Sequence, residues 1–134
     1  MQYLLMIYQN EAEYGKIDPA MSKKMLEEYG AFTQSIIQSG NFKAGDRLQP
    51  TTTATTVRVR DGKTLTTDGP FAETREQLGG YYLIEAKDLD AALAIAARIP
   101  GARFGSIEVR PIWELPAEYA MAEAAAAREA GAVG

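Results

Sequence analysis

The chain has 134 residues, 46% hydrophobic and 24% charged, with a formal net charge of −4 and neither cysteine nor histidine. Length and composition describe one globular domain able to bury its own core, and the acidic balance without a basic run makes neither nucleic acid nor a membrane surface an expected partner. The missing residue types exclude disulfides, thiolate nucleophiles, zinc–thiolate sites and mechanisms that turn on an imidazole. A metal would have only carboxylates and carbonyls to hold it, and no metal or cofactor is expected.

Gln2 to Tyr8, QYLLMIY, is a short apolar run closed by Gln9-Asn10-Glu11, which predicts a strand. It is apolar at odd and even positions alike, so it must be covered on both faces of its sheet. The run is too short to cross a bilayer and follows no basic region, so a cytoplasmic location is expected. Asp18-Pro19 is a helix start, with Asp as cap and Pro at the first position. Met21, Met25, Tyr29, Phe32 and Ile36 then recur at helical spacing until Gly40, which predicts a helix over 19–39 whose apolar stripe is core.

Residues 42–49, FKAGDRLQ, read as an irregular strand in which Gly45 marks a bulge. Thr55 to Arg60 alternates, Asp61-Gly62 is a preferred two-residue turn, and Lys63 to Thr67 returns. This polar hairpin belongs at an edge or off the main sheet, with Arg58 and Arg60 on a solvated face. Tyr81 to Ile84 is another strand apolar on both faces. Asp88 caps a second helix, Leu89 to Ile99, with a stripe of Leu89, Leu93, Ala96 and Ala97, stopped by Pro100-Gly101. Ser106 to Arg110 alternates and continues to Leu115 past a proline suited to an edge or bend. Residues 116–134 form an alanine-rich helical extension with little to bury, outside a domain of 1–115.

The order of elements predicts an α+β fold: a ferredoxin-like βαββαβ plait with an inserted β-hairpin and two helices on one face of an antiparallel sheet. The two-faced strands leave the opposite face in need of cover. A second copy supplies it, so a homodimer packing sheet to sheet is expected.

The connection from Asp68 to Gly80, DGPFAETREQLGG, concentrates the ionisable groups. A carboxylate oriented by a Gly-Pro turn near apolar walls can work as an acid or base near neutrality, which makes Asp68 the candidate catalytic residue. Arg75 and Glu76 are candidate ligand-binding groups, joined by Asp46-Arg47, Tyr29 and Tyr82 where these converge on one cleft. The plainer alternative has Asp68 forming a turn, Phe71 plugging the core, Glu73 to Glu76 solvated, and the tyrosines satisfied in the core.

Asp68-Gly69-Pro70-Phe71-Ala72-Glu73-Thr74-Arg75-Glu76, followed by Leu78-Gly79-Gly80-Tyr81-Tyr82, resembles the signature of the DGPF-domain proteins, a branch of the YCII-related family. The segments YLLMIY, EYGAFTQ, LQPTTTATTVRVRDGK and EVRPIWEL extend the resemblance over residues 1–115. It implies the dimeric α/β-barrel superfamily, whose members include cofactor-free monooxygenases, isomerases and decyclising enzymes that use a cleft between sheet and helices. It also implies a His-Asp pair, which in a chain without histidine leaves Asp68 or Asp46 as a carboxylate without its imidazole. Two functions follow as expectations: a small-molecule-binding or enzyme-like dimer with a cleft near the DGPF loop, or a non-catalytic accessory or sensor protein linked to extracytoplasmic-function sigma-factor regulation.

Overall fold

A computed structural model describes residues 1–119 together with 125, 126 and 129, so the expected extension over 116–134 lies largely outside the described residues. The elements are β1 (Gln2–Gln9), α1 (Glu11–Tyr14), α2 (Pro19–Gln38), β2 (Phe42–Arg47), a 3₁₀ turn (Thr51–Thr53), β3 (Thr55–Arg60), β4 (Lys63–Asp68), β5 (Gln77–Glu85), α3 (Leu89–Ala97), a 3₁₀ turn (Pro100–Arg103) and β6 (Ser106–Pro111). The main sheet has the order β2-β5-β1-β6, antiparallel throughout, and β3 and β4 pair with each other alone. This is an α+β fold, compatible with a ferredoxin-like plait.

Local chemistry accounts for the helix limits. The Asp18 carboxylate accepts from the Met21 amide at 2.8 Å and Asp88 from the Ala91 amide at 2.8 Å, each satisfying a donor the helix leaves open. α2 buries Met25, Phe32 and Ile36, while α3 buries Ala92, Ile95 and Ala96. The expected α3 stripe is displaced: Leu89 and Leu93 are exposed, and Ile95 and Ile99 face the core. Its small residues let α3 lie close to the sheet. Tyr3, Leu5 and Ile7 of β1 join Tyr82 and Ile84 of β5 beneath the two helices.

Strand alternation turns the intervening residues to the other face. There Leu4 stands opposite Leu83, Met6 opposite both Tyr81 and Glu108, and Leu4 again opposite Arg110. Leu4 and Leu83 are only half-buried. Both long helices pack against the opposite face, and within this row Met6 is buried, at 9% exposure.

The hairpin turns at Asp61 and Gly62, both at positive φ (51° and 72°), as its tight connection requires. Val57, Val59 and Leu65 are exposed on it. Gly69, at φ 101°, follows β4 and returns its amide to the Ala54 carbonyl at 2.7 Å. β5 begins earlier than expected, at Gln77, so the connection narrows to 69–76. Phe71 does not plug the core there; it is 80% exposed.

A cleft at the bulged edge of the sheet

Two bulges shape the sheet edge under the middle of α2. In the β2–β5 ladder Phe42 pairs with Ile84, but Ala44 pairs with Leu83 and Gly45 with Tyr82, leaving Lys43 as an extra residue. A bulge of this kind reverses the facing of everything beyond it. Strict alternation from Phe42 would turn Asp46 toward the helices; the bulge turns Gly45 and Arg47 there instead. In the β1–β5 ladder the register likewise shifts between Ile7 and Tyr8, passing over Gly79.

The result is a cleft of about 280 Å³ between α2 and the sheet. Leu26, Tyr29 and Thr33 of α2 form one wall, with Phe42, Tyr82 and Ile7 behind, and Gly45, Gly79 and Gly80 lie along the strands. A β-carbon on Gly45 would stand 2.8 Å from Cδ1 of Tyr82, and one on Gly80 2.9 Å from the Asp46 carbonyl oxygen. At Gly80 only glycine fits with the backbone as it stands, and at Gly45 a side chain would have to displace the Tyr82 ring.

Tyr82 is fixed on three sides. Its ring meets Phe32 edge-on at 5.3 Å and Phe42 at 6.4 Å, and its hydroxyl lies 2.7 Å from Thr33 Oγ1. Burial pushes its phenol above the ordinary value, against the opposing effect of the Thr33 bond. The Tyr29 hydroxyl accepts from the Gly101 amide at 3.1 Å. Burial pushes Tyr29 up to about 12, against the lowering effect of the Gly101 bond. Both phenols are therefore neutral near pH 7. With its oxygen engaged as acceptor, Tyr29 retains its own O–H to donate.

Arg47 stands at the mouth, exposed, and among the described residues no carboxylate pairs with it. Tyr14 closes the other end from α1, a single turn held in place from outside. The Glu11 carboxylate accepts from both the amide (2.9 Å) and the hydroxyl (2.7 Å) of Thr51, and the Glu11 amide donates to Gln77 Oε1 at 3.0 Å. The arrangement joins a guanidinium, neutral hydroxyls and apolar walls in one concavity, the composition of a site for a small organic ligand.

Of the residues expected to form a site, Tyr29, Asp46 and Tyr82 border this cleft and Asp68, Arg75 and Glu76 do not. Asp46 contributes backbone, its carboxylate accepting from the Tyr81 hydroxyl at 2.6 Å on the other face, a bond that raises the Tyr81 pKa. Asp68 ends β4 opposite Thr55 and is exposed. Arg75 is exposed in the connection, and Glu76 accepts from Ser106 Oγ at 2.8 Å, tying the connection to β6. Arg47, paired with Asp46 in the sequence reading, also lines the cleft, while Tyr14 and Thr33 do so without any signal in the sequence. Among the described residues no three acidic side chains converge to hold a metal, and no helix is long and apolar enough to cross a membrane.

A helix-covered antiparallel sheet with a cleft at its edge is here joined to the motif of the 68–82 segment, and the sequence comparisons give the class. The chain belongs to the YCII-related domain family, whose sequence model matches residues 1–116. A curated relative, an uncharacterized protein of Rhizobium meliloti (strain 1021), is 37% identical over 114 residues, covering 84% of this chain and 92% of the relative.

Proposed function

We propose that this YCII-family chain is a small-molecule-binding protein that takes an organic acid into the cleft between α2 and the β2–β5 edge and works as a homodimer. The observation that carries the reading is Arg47, without a carboxylate partner among the described residues, at the mouth of a mostly apolar cleft whose hydroxyls, on Tyr29, Thr33 and Tyr82, stay neutral. A carboxylate can take a bidentate contact from the guanidinium while the phenols donate to an acceptor on the ligand body. The rigid placement of Tyr82 and the tether on α1 mean that little must be ordered on binding.

The dimer reading is supported by the sheet face turned away from the helices, where the Leu4–Leu83 pair is only half-buried, and by exposed aromatic side chains such as Trp113, 92% exposed. Soluble monomers rarely leave such surface open. Asp68, Arg75 and Glu76 would then serve the rim or the partner, and the acid/base role proposed for Asp68 needs the ligand to reach beyond the cleft.

The test is a thermal-shift screen of small carboxylates against the native chain and Leu26→Trp. Leu26 lines the cleft and is 59% exposed, so the larger ring fills the cleft without disturbing the core. Ligand at a hundredfold excess over Kd should stabilise the native chain by about 2.7 kcal/mol and leave the variant unshifted. Equal shifts in both would place the ligand elsewhere.

A further inference from the structure

A second concavity, about 230 Å³, lies beside the first and shares Gln9 and Tyr14 with it. Its walls are Ile17 of the α1–α2 connection, Met21 and Met25 of α2, and Phe104 after the second 3₁₀ turn. Two methionines and a phenylalanine make an adaptable apolar lining that suits a flexible hydrocarbon better than a rigid polar group. Glu13 is the charged residue on its border, and no cation lines it. The two chambers therefore differ in sign: the first carries the guanidinium of Arg47, the second a carboxylate.

Tyr14 stands at their junction. It lies near enough to Tyr29 to bear on that phenol's ionisation, as do Tyr82 and Arg47, so one short path links the cation, the hydroxyls and the junction. The ring of Tyr14 can line a passing chain with apolar carbon along its body and a hydroxyl at its tip.

Resting on the cleft as the ligand site, we infer that the ligand is an amphipathic monocarboxylate whose acid sits at Arg47 and whose hydrocarbon tail passes Tyr14 into the chamber of Ile17, Met21, Met25 and Phe104. The charge difference sets the direction. An acid group at the far end of the tail would meet Glu13, and the cation beside the chamber, Arg103 over the Phe104 ring, is already paired with Glu28, so a dicarboxylate of equal length binds less well.

The experiment titrates the full chain with butanoate, hexanoate, octanoate, decanoate and octanedioate, following the amides of Gly45 and Gly80 by NMR and affinity by calorimetry. Affinity should rise about fourfold per methylene as the tail enters the second chamber, and octanoate should bind at least tenfold tighter than octanedioate. Met21→Glu, at a residue 43% exposed and so tolerant of substitution, should flatten the chain-length series while leaving butanoate shifts at Gly45 and Gly80 unchanged. A flat series in the native chain, a series that survives Met21→Glu, or octanedioate equal to octanoate overturns the inference. If short acids still shift Gly45 and Gly80 in that event, and Leu26→Trp abolishes those shifts, the cleft stands as a site and only the tail chamber falls. If no carboxylate shifts these amides, both fall together.

Discussion

Arg47 stands directly across the β2–β5 ladder from Gly80, on the face turned toward α2, because the bulge at Lys43 advances β2 by one residue. The guanidinium thereby borders the cleft, and Asp46 is left to bond Tyr81 behind it. Arg47 is exposed and without a carboxylate partner among the described residues, so Arg47→Gln should change stability by no more than about 0.5 kcal/mol. Loss of a charged hydrogen bond to the ligand, about 1.5–3 kcal/mol, should weaken organic-acid binding by roughly tenfold or more. Urea unfolding and calorimetry read the two effects separately.

The Gly101 amide reaches the Tyr29 hydroxyl because nothing stands between them. A β-carbon at Gly101 would lie 2.6 Å from that oxygen and 3.2 Å from Cγ2 of Ile7. Gly101→Ala should therefore cost about 1–3 kcal/mol by crowding and displace the Tyr29 ring in the cleft. Denaturant unfolding measures the first consequence. Weaker binding of the same organic acid measures the second.

Tyr29 carries a pH signature. Its folded pKa of about 12 lies above the ordinary tyrosine value of 10.0, so between these limits the unfolded chain has released a proton that the folded chain retains. Stability from this group is complete below pH 10 and declines as pH rises toward 12, with Tyr82 adding in the same direction. Stability measured by urea titration from pH 9 to 12 should fall across that window. In Tyr29→Phe the fall should be shallower.

Leu83 and Leu4 face each other on the side of the sheet turned away from the two long helices. If two copies meet there, a buried charge at the centre of the contact has no partner and association fails. Leu83→Glu should sediment as a folded monomer while the native chain sediments as a dimer. A native monomer at micromolar concentration would remove the dimer from the proposal.

Spacing and end signals were sufficient for the main elements. Asp18-Pro19 with Gly40 bounds α2 to within a residue, Asp61-Gly62 places the hairpin turn, and the two-faced apolar runs mark the central strands β1 and β5. α1 escaped notice because a four-residue turn has no periodicity; its one signal is Asn10, whose side chain accepts from the Glu13 amide at 3.2 Å. Tyr29, Tyr82 and the Asp46-Arg47 pair are legible as cleft residues, but which of that pair faces inward is not, since a one-residue bulge exchanges Arg47 for Asp46 and Gly45 alone does not say on which side the extra residue falls. The dense charges of 68–76 drew attention to Asp68, Arg75 and Glu76. Exposed charge is the ordinary state of a surface connection, and among the described residues only Glu76 of this group is tied down, to Ser106.

The claim that α2 and the bulged sheet edge enclose the ligand site is tested most directly by two-dimensional amide NMR during titration with octanoate. Glycine amides are well separated in such spectra, and Gly45, Gly79 and Gly80 line the cleft. The proposal predicts saturable shifts at these three and at Gly101, which bonds Tyr29, with the hairpin glycine Gly62 unmoved. Shifts confined to Gly62 and Gly69, or none at any concentration that leaves the chain folded, would contradict it.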